Sequence, residues 1–92
     1  MEIIGRKTIN DFRLKHADAQ SHIDSLVAEM DIADWSKPGD VKQKYPKASI
    51  LSDNQVVFDI KGSKYRLLVK INYENKIVLI KKAGNHNEYM KW

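Results

Sequence analysis

The chain has no cysteine, so no disulfide framework and no thiolate metal site can form. That fits a reducing compartment. It contains only two prolines and four glycines, and no repeat, low-complexity tract or flexible linker interrupts it. No apolar stretch approaches the roughly 20 residues of a membrane span. The N-terminal MEIIGRKTINDF lacks the apolar run of a signal peptide. A soluble, cytoplasmic protein without a membrane partner is therefore expected. Glycine-rich phosphate loops, zinc motifs and serine-nucleophile motifs are also missing. His16 and His22 are too far apart in register to share one helical face, and both read as ordinary helix residues. Neither a metal nor a cofactor is expected.

What is present fits one domain spanning residues 1–92. Two cores cut from 92 residues would each be too small to stabilise themselves. A hydrophobic content of 42% supports one core. The formal charge of +4 is unevenly distributed. Residues 61–92 hold eight Lys or Arg against two acids, whereas residues 1–60 hold eight against ten. The basic excess belongs to the second half, as expected if one face meets a polyanion.

The first half reads as helical. Met1–Ile4 fits a short edge strand or an ordered arm. A helix is predicted from about Thr8 to His16, with Ile9 and Phe12 inward and His16 as a third candidate for that face. Asp18 has the character of an N-cap for a second helix over roughly Ala19–Ala33. There, Ile23, Leu26, Val27 and Met30 form one apolar stripe. Ser36-Lys37-Pro38-Gly39 breaks the pattern after Trp35. Asp40 can then cap a single turn carrying Val41 and Tyr45, which Pro46 ends. A short strand is predicted at Ala48–Leu51.

The second half is a meander: QVVFDI (55–60), a turn at 61–64, YRLLVKINY (65–73), a turn near 74–76, and IVLIKKA (77–83). Side chains alternate between the faces of a strand. Ile60, Phe58 and Val56 pair with Tyr65, Leu67 and Val69, so this face packs on the helices. The opposite face carries Asp59 and Arg66, and Val57 and Leu68, with Lys64 and Lys70 at its ends. For the second hairpin, pairing Ile71 with Val78 and Val69 with Ile80 puts Leu79 and Lys81 on the outer face. Lys82 is left at the core-side margin, snorkelling outward. A one-residue slip would exchange the two lysines. The plain reading of the outer face is a solvated surface, with an Asp59–Arg66 ion pair contributing on the order of 1 kcal/mol or less. The functional reading is a phosphate-binding surface in which Arg66 makes paired hydrogen bonds and the lysines act as point charges.

The tail GNHNEYMKW holds three proton-transfer groups within four residues: His86, Glu88 and Tyr89. Histidine is the side chain most easily poised near neutral pH. Trp92 fits a terminal anchor or a platform for a base.

Several segments together resemble the HigB family of bacterial toxins. They are IGRKT (4–8), ADW (33–35), NQVVFDIKG (54–62), KYRLLVKINY (64–73) and GNHNEY (84–89). The resemblance implies an α+β, RelE-like fold with an N-terminal helical hairpin packed on a small antiparallel sheet. It implies the toxin of a type II toxin–antitoxin pair, an endoribonuclease (mRNA interferase) that cuts mRNA on the ribosome and inhibits translation. It also implies a HigA-type helix-turn-helix antitoxin, through which alone the toxin meets DNA. In that setting the ribose 2′-hydroxyl attacks the adjacent phosphate. Arg66 and Lys81 stabilise charge, and His86, with Glu88 and Tyr89 as alternates, transfers protons. Lys64, Lys70 and Lys82 hold the RNA backbone. The chain departs from the family pattern at Lys81, Lys82, Asn85 and Met90. Those departures motivate the competing expectation of a non-catalytic or degenerate toxin-like module that binds RNA or an antitoxin.

Overall fold

Alternation in the second half produces the expected meander, and the first half folds over one face of it. In a computed structural model describing Met1–Trp92, strand β1 (Glu2–Ile4) leads into helices α1 (Arg6–Lys15) and α2 (Gln20–Ile32). A short 3-10 turn at Ala17–Ala19 separates the two helices. Helix α3 (Pro38–Lys44) follows, then strands β2 (Ser49–Ile50), β3 (Gln55–Ile60), β4 (Tyr65–Asn72) and β5 (Ile77–Asn85). A final turn of helix, α4 (His86–Tyr89), closes the chain. The sheet order is β1-β5-β4-β3-β2. β2 to β5 are antiparallel neighbours, while β1 adds a parallel edge beside β5. The fold is α+β, with an N-terminal helical pair packed on a small, mostly antiparallel sheet, as the residues led one to expect.

Parity sets the core. Val56, Phe58, Ile60, Tyr65, Leu67, Val69, Ile71, Val78 and Ile80 are buried together with Ile9, Phe12, Ile23, Leu26 and Met30 of the helices. Full burial of such a side chain contributes about 1.5–3 kcal/mol, so this layer dominates stability. Phe12 meets Tyr65 edge-on at 5.3 Å, and Tyr45 meets Phe58 likewise at 5.2 Å.

Four local expectations change, one of them only in the boundary of α1, since His16 keeps the inward side it was a candidate for. Asp18 does not cap α2 with its side chain. Its carboxylate instead accepts from Lys61, Lys64 and the Tyr65 hydroxyl. Two cations and a phenol outcompete backbone amides for it. His16 lies just past the end of α1, its ring between Phe12 and Tyr65 at 4.6 and 4.7 Å. Pro38 begins α3 rather than breaking the pattern before it, because a first-turn proline loses no helical hydrogen bond. Asp40, in that first turn, accepts from the Ser36 N–H at 2.9 Å.

The fourth change is in the second hairpin. The register Ile71–Val78 and Val69–Ile80 is observed, but a bulge then lets Leu68 pair with Lys82. Lys81 is the extra residue. Without the bulge, Lys82 would face the core and Ala83 the outside. With it, Ala83 packs against the core and Lys82 joins the Leu68 row. The prediction that placed Lys81 outward in register and Lys82 at the core margin is corrected accordingly.

Candidate nucleic-acid interface

The outer face is built around Arg66 at the middle of three strands. It lies across from Asp59 on β3 and Gly84 on β5. Its guanidinium is paired with Asp59, whose other oxygen accepts from the Ser63 hydroxyl at 2.9 Å. The two side chains are only 18% and 14% exposed. The plain reading of a solvated ion pair therefore does not hold. At this depth, removing one partner strands a charge at a cost of several kcal/mol.

What covers Arg66 is the tail. Glycine at position 84 leaves room for α4, since a Cβ there would stand 2.9 Å from the Glu88 Cβ. The helix is closed by a reciprocal cap. Asn85 Oδ1 accepts from the Glu88 N–H at 2.9 Å, and Glu88 Oε1 accepts from the Asn85 N–H at 3.2 Å. Tyr89 then lies over Arg66, its ring centroid 5.2 Å from the guanidinium carbon. His86 stands 6.4 Å from Tyr89, and Trp92 packs edge-on against Tyr89 at 5.5 Å.

The structure thus brings together Arg66, Tyr89 and His86, and places Lys82 and Lys70 on the same face. It gives Glu88 a structural task in the cap. Lys70 bonds Asp53 at 3.0 Å. Lys81 and Lys82 are exposed and make no ion pair. Lys64 is not part of this face. Its ammonium lies 2.8 Å from Asp18 on the helical side, which holds it above its ordinary pKa. The attraction of that carboxylate overrides strand parity at the turn.

Sequence reasoning missed Asp53 and Ser63 as partners, and Gly84 as the seat of α4. It also missed α4 itself, although Asn85-His86-Asn87-Glu88 carries the capping-box spacing. The orphan in the interface is Arg66 Nε, which is buried without a hydrogen-bond partner. Apolar surface surrounds it. Val57 is buried on this face outside the main cluster, Leu68 is half-buried, and Leu79 and Ile4 are 37% and 46% exposed. No group of three or more histidine and carboxylate side chains converges anywhere in the chain. No helix is long and apolar enough to cross a membrane.

A family model described as HigB_toxin, RelE-like toxic component of a toxin-antitoxin system, matches residues 19–92. The chain belongs to the HigB toxin family. Most of the described architecture falls within the match, from α2 to α4. Among curated proteins no match is found. As a member of the HigB family the chain is the toxic component of a toxin–antitoxin system, and an antitoxin partner follows from that role.

Proposed function

We propose that this HigB-family toxin cleaves mRNA on the translating ribosome, and that the Arg66–Tyr89–His86 face is where it does so. The carrying observation is Arg66: a guanidinium held in place by Asp59, roofed by Tyr89, with its Nε unsatisfied. A buried, unpaired donor on a charged group is costly, and a phosphate oxygen would satisfy it. Lys82 and Lys81 on the bulge supply charge for the flanking phosphates, and Lys70, already held by Asp53, contributes less. Lys82 moves into the Leu68 row and thereby nearer the role first given to Lys81.

In this reading the ribose 2′-hydroxyl attacks the adjacent phosphorus and the 5′-oxygen leaves. Arg66 stabilises the charge that builds on the phosphoryl oxygens. His86 and Tyr89 take and give the protons, one at the 2′-hydroxyl and one at the leaving oxygen. Glu88 acts through the cap that holds these two side chains. A HigA-type helix-turn-helix protein serves as the antitoxin, and DNA is reached only through it.

The test is controlled expression without the antitoxin, with growth and mRNA 5′ ends as readouts. Wild type arrests growth and yields new ends in translated messages. Arg66→Ala loses at least a hundredfold in cleavage, the scale of removing one transition-state donor. If both chains are equally harmless, the nuclease reading fails. The competing reading, a non-catalytic module that binds RNA or antitoxin, draws support from the engagement of Arg66 by Asp59 and of Glu88 by Asn85. Ribosome-dependent cleavage at a rate typical of active toxins would exclude it.

A further inference from the structure

A second concavity lies on the opposite side of β3 from the tail, between α2, the 44–48 segment and the end of that strand, with a volume of about 640 Å³. Leu26, Tyr45, Ala48 and Phe58 contribute its apolar lining. Glu29, the acid on its α2 wall, is already committed, because its carboxylate accepts from the Tyr45 hydroxyl at 2.5 Å. Burial, and then that carboxylate, push the phenol pKa above its ordinary value.

One wall is an open strand edge. β2 pairs only with Val56 and Val57. The Leu51 N–H donates to the Gln55 carbonyl at 2.8 Å, so Gln55 turns its main chain toward β2. Main-chain groups alternate direction along an antiparallel strand, so Val57 and Asp59 do the same. The next ladder partner, opposite Asp59, would be Lys47. There the chain bends away instead, in the turn where the Ala48 N–H donates to the Tyr45 carbonyl at 2.9 Å. The Asp59 N–H and carbonyl therefore face the concavity. Its rim is basic. Lys44 and Lys47 are exposed and make no ion pair, and Lys61 shares Asp18 with Lys64.

We propose that this groove receives an extended, acidic segment of the antitoxin. The segment adds to the free edge of β3 at Asp59 and sets its carboxylates against Lys44 and Lys47. An extended strand has free main-chain donors and acceptors to match this edge, whereas a helix has none along its length. RNA fits less well. Phe58 is buried and the half-buried Tyr45 ring is packed edge-on against Phe58 and Trp35, which leaves His22 as the one exposed ring on the lining and no row of aromatic platforms for successive bases. The inference rests on the family's toxin–antitoxin pairing and is independent of RNA cleavage.

The test uses the full chain and its purified antitoxin. Two readouts are taken: calorimetric affinity and amide hydrogen exchange. In the complex, exchange at the Asp59 amide slows at least tenfold, while Phe58 and Ile60, already bonded to β4, serve as internal references. Lys44→Glu/Lys47→Glu weakens antitoxin binding at least tenfold, while a thermal melt shows the double variant still folded at the binding temperature, the only stability cost being the carboxylate placed at the end of α3. Unchanged affinity in the double variant, or unchanged exchange at Asp59, overturns the proposal. So does a double variant that loses mRNA cleavage but binds antitoxin normally, an outcome that would assign the rim to RNA. Should the nuclease reading fail, both binding readouts still decide this one.

Discussion

Asp18 shows what a single residue can do once the chain has closed. It is 43, 46 and 47 residues from the three side chains that converge on it. Hydrogen bonds from Lys64, then Lys61, then Tyr65 hold its carboxyl well below the usual range. It ties the junction of α1 and α2 to the β3–β4 turn. The sign of the pH dependence follows from both partners. Asp18 has a folded pKa below its unfolded value of 3.8, so its contribution is present above that value and lost as pH falls through the folded one. Lys64 has a folded pKa above 10.5, so its contribution is present below 10.5 and lost as pH rises through the folded value. The clamp therefore works between about pH 4 and pH 10. Asp18→Asn is expected to lower the melting temperature at pH 7, with the gap to wild type narrowing as pH drops below 3.8. Thermal melts across pH 2–8 check this, and a gap constant with pH would contradict it. None of this was legible in the sequence, where Asp18 had only its helix-capping character. A local rule cannot weigh partners that only tertiary contact supplies.

Among the elements, α4 carries the interface although it is a single turn. Isolated turns of helix are unstable, so its persistence depends on the Asn85–Glu88 cap and on the glycine beneath it. Gly84→Ala is expected to lift α4, because the added methyl would meet the Glu88 Cβ at 2.9 Å, an atom that cannot move without its backbone. Asn85→Ala removes one half of the cap, at a typical cost of about 1 kcal/mol. Both variants should speed amide exchange at Glu88 while Val69 and Val78 in the core stay protected. Both should also cut mRNA cleavage by moving Tyr89 off Arg66. Retained Glu88 protection in Gly84→Ala would show that α4 is held from elsewhere. The strands were more legible than this helix. Apolar residues at every second position from Val56 to Ile60 and from Tyr65 to Ile71 specify the core face, and only Val57 and Leu68 put apolar side chains on the other. The bulge at Lys81 was less legible, because it depends on whether Lys82 or Ala83 is cheaper to turn inward. In the sequence the two lysines are chemically alike, and only the need to pack Ala83 separates them.

For the whole molecule, the uneven charge of the sequence has a second meaning in three dimensions. Acids of the first 60 residues neutralise cations of the last 32. Asp18 takes Lys61 and Lys64, Asp34 takes Lys76, Asp53 takes Lys70, and Asp59 takes Arg66. Four of these five cations are therefore spent on joining the two halves, and Arg66, with Nε still unsatisfied, is the exception. The remaining second-half cations, Lys81, Lys82 and Lys91, form no ion pair and flank the passage from β5 through α4 along the chain. The basic half was legible from composition, and so was the Asp59–Arg66 pair, but the small free fraction was not, since the Asp18 pairings span more than forty residues of chain. This redistribution gives the RNA-binding proposal a quantitative form. Each lysine that neutralises a phosphate on single-stranded RNA contributes about 0.7 to the slope of log affinity against log salt. Lys81→Ala/Lys82→Ala should thus flatten the slope for a single-stranded mRNA fragment by about 1.4. Lys64→Ala should leave it unchanged, because its charge already belongs to Asp18. Binding titrations over a tenfold salt range, on the three chains in parallel, separate these cases. A slope lowered equally by all the lysine changes would mean that net charge alone, not the unpaired lysines of β5, holds the RNA.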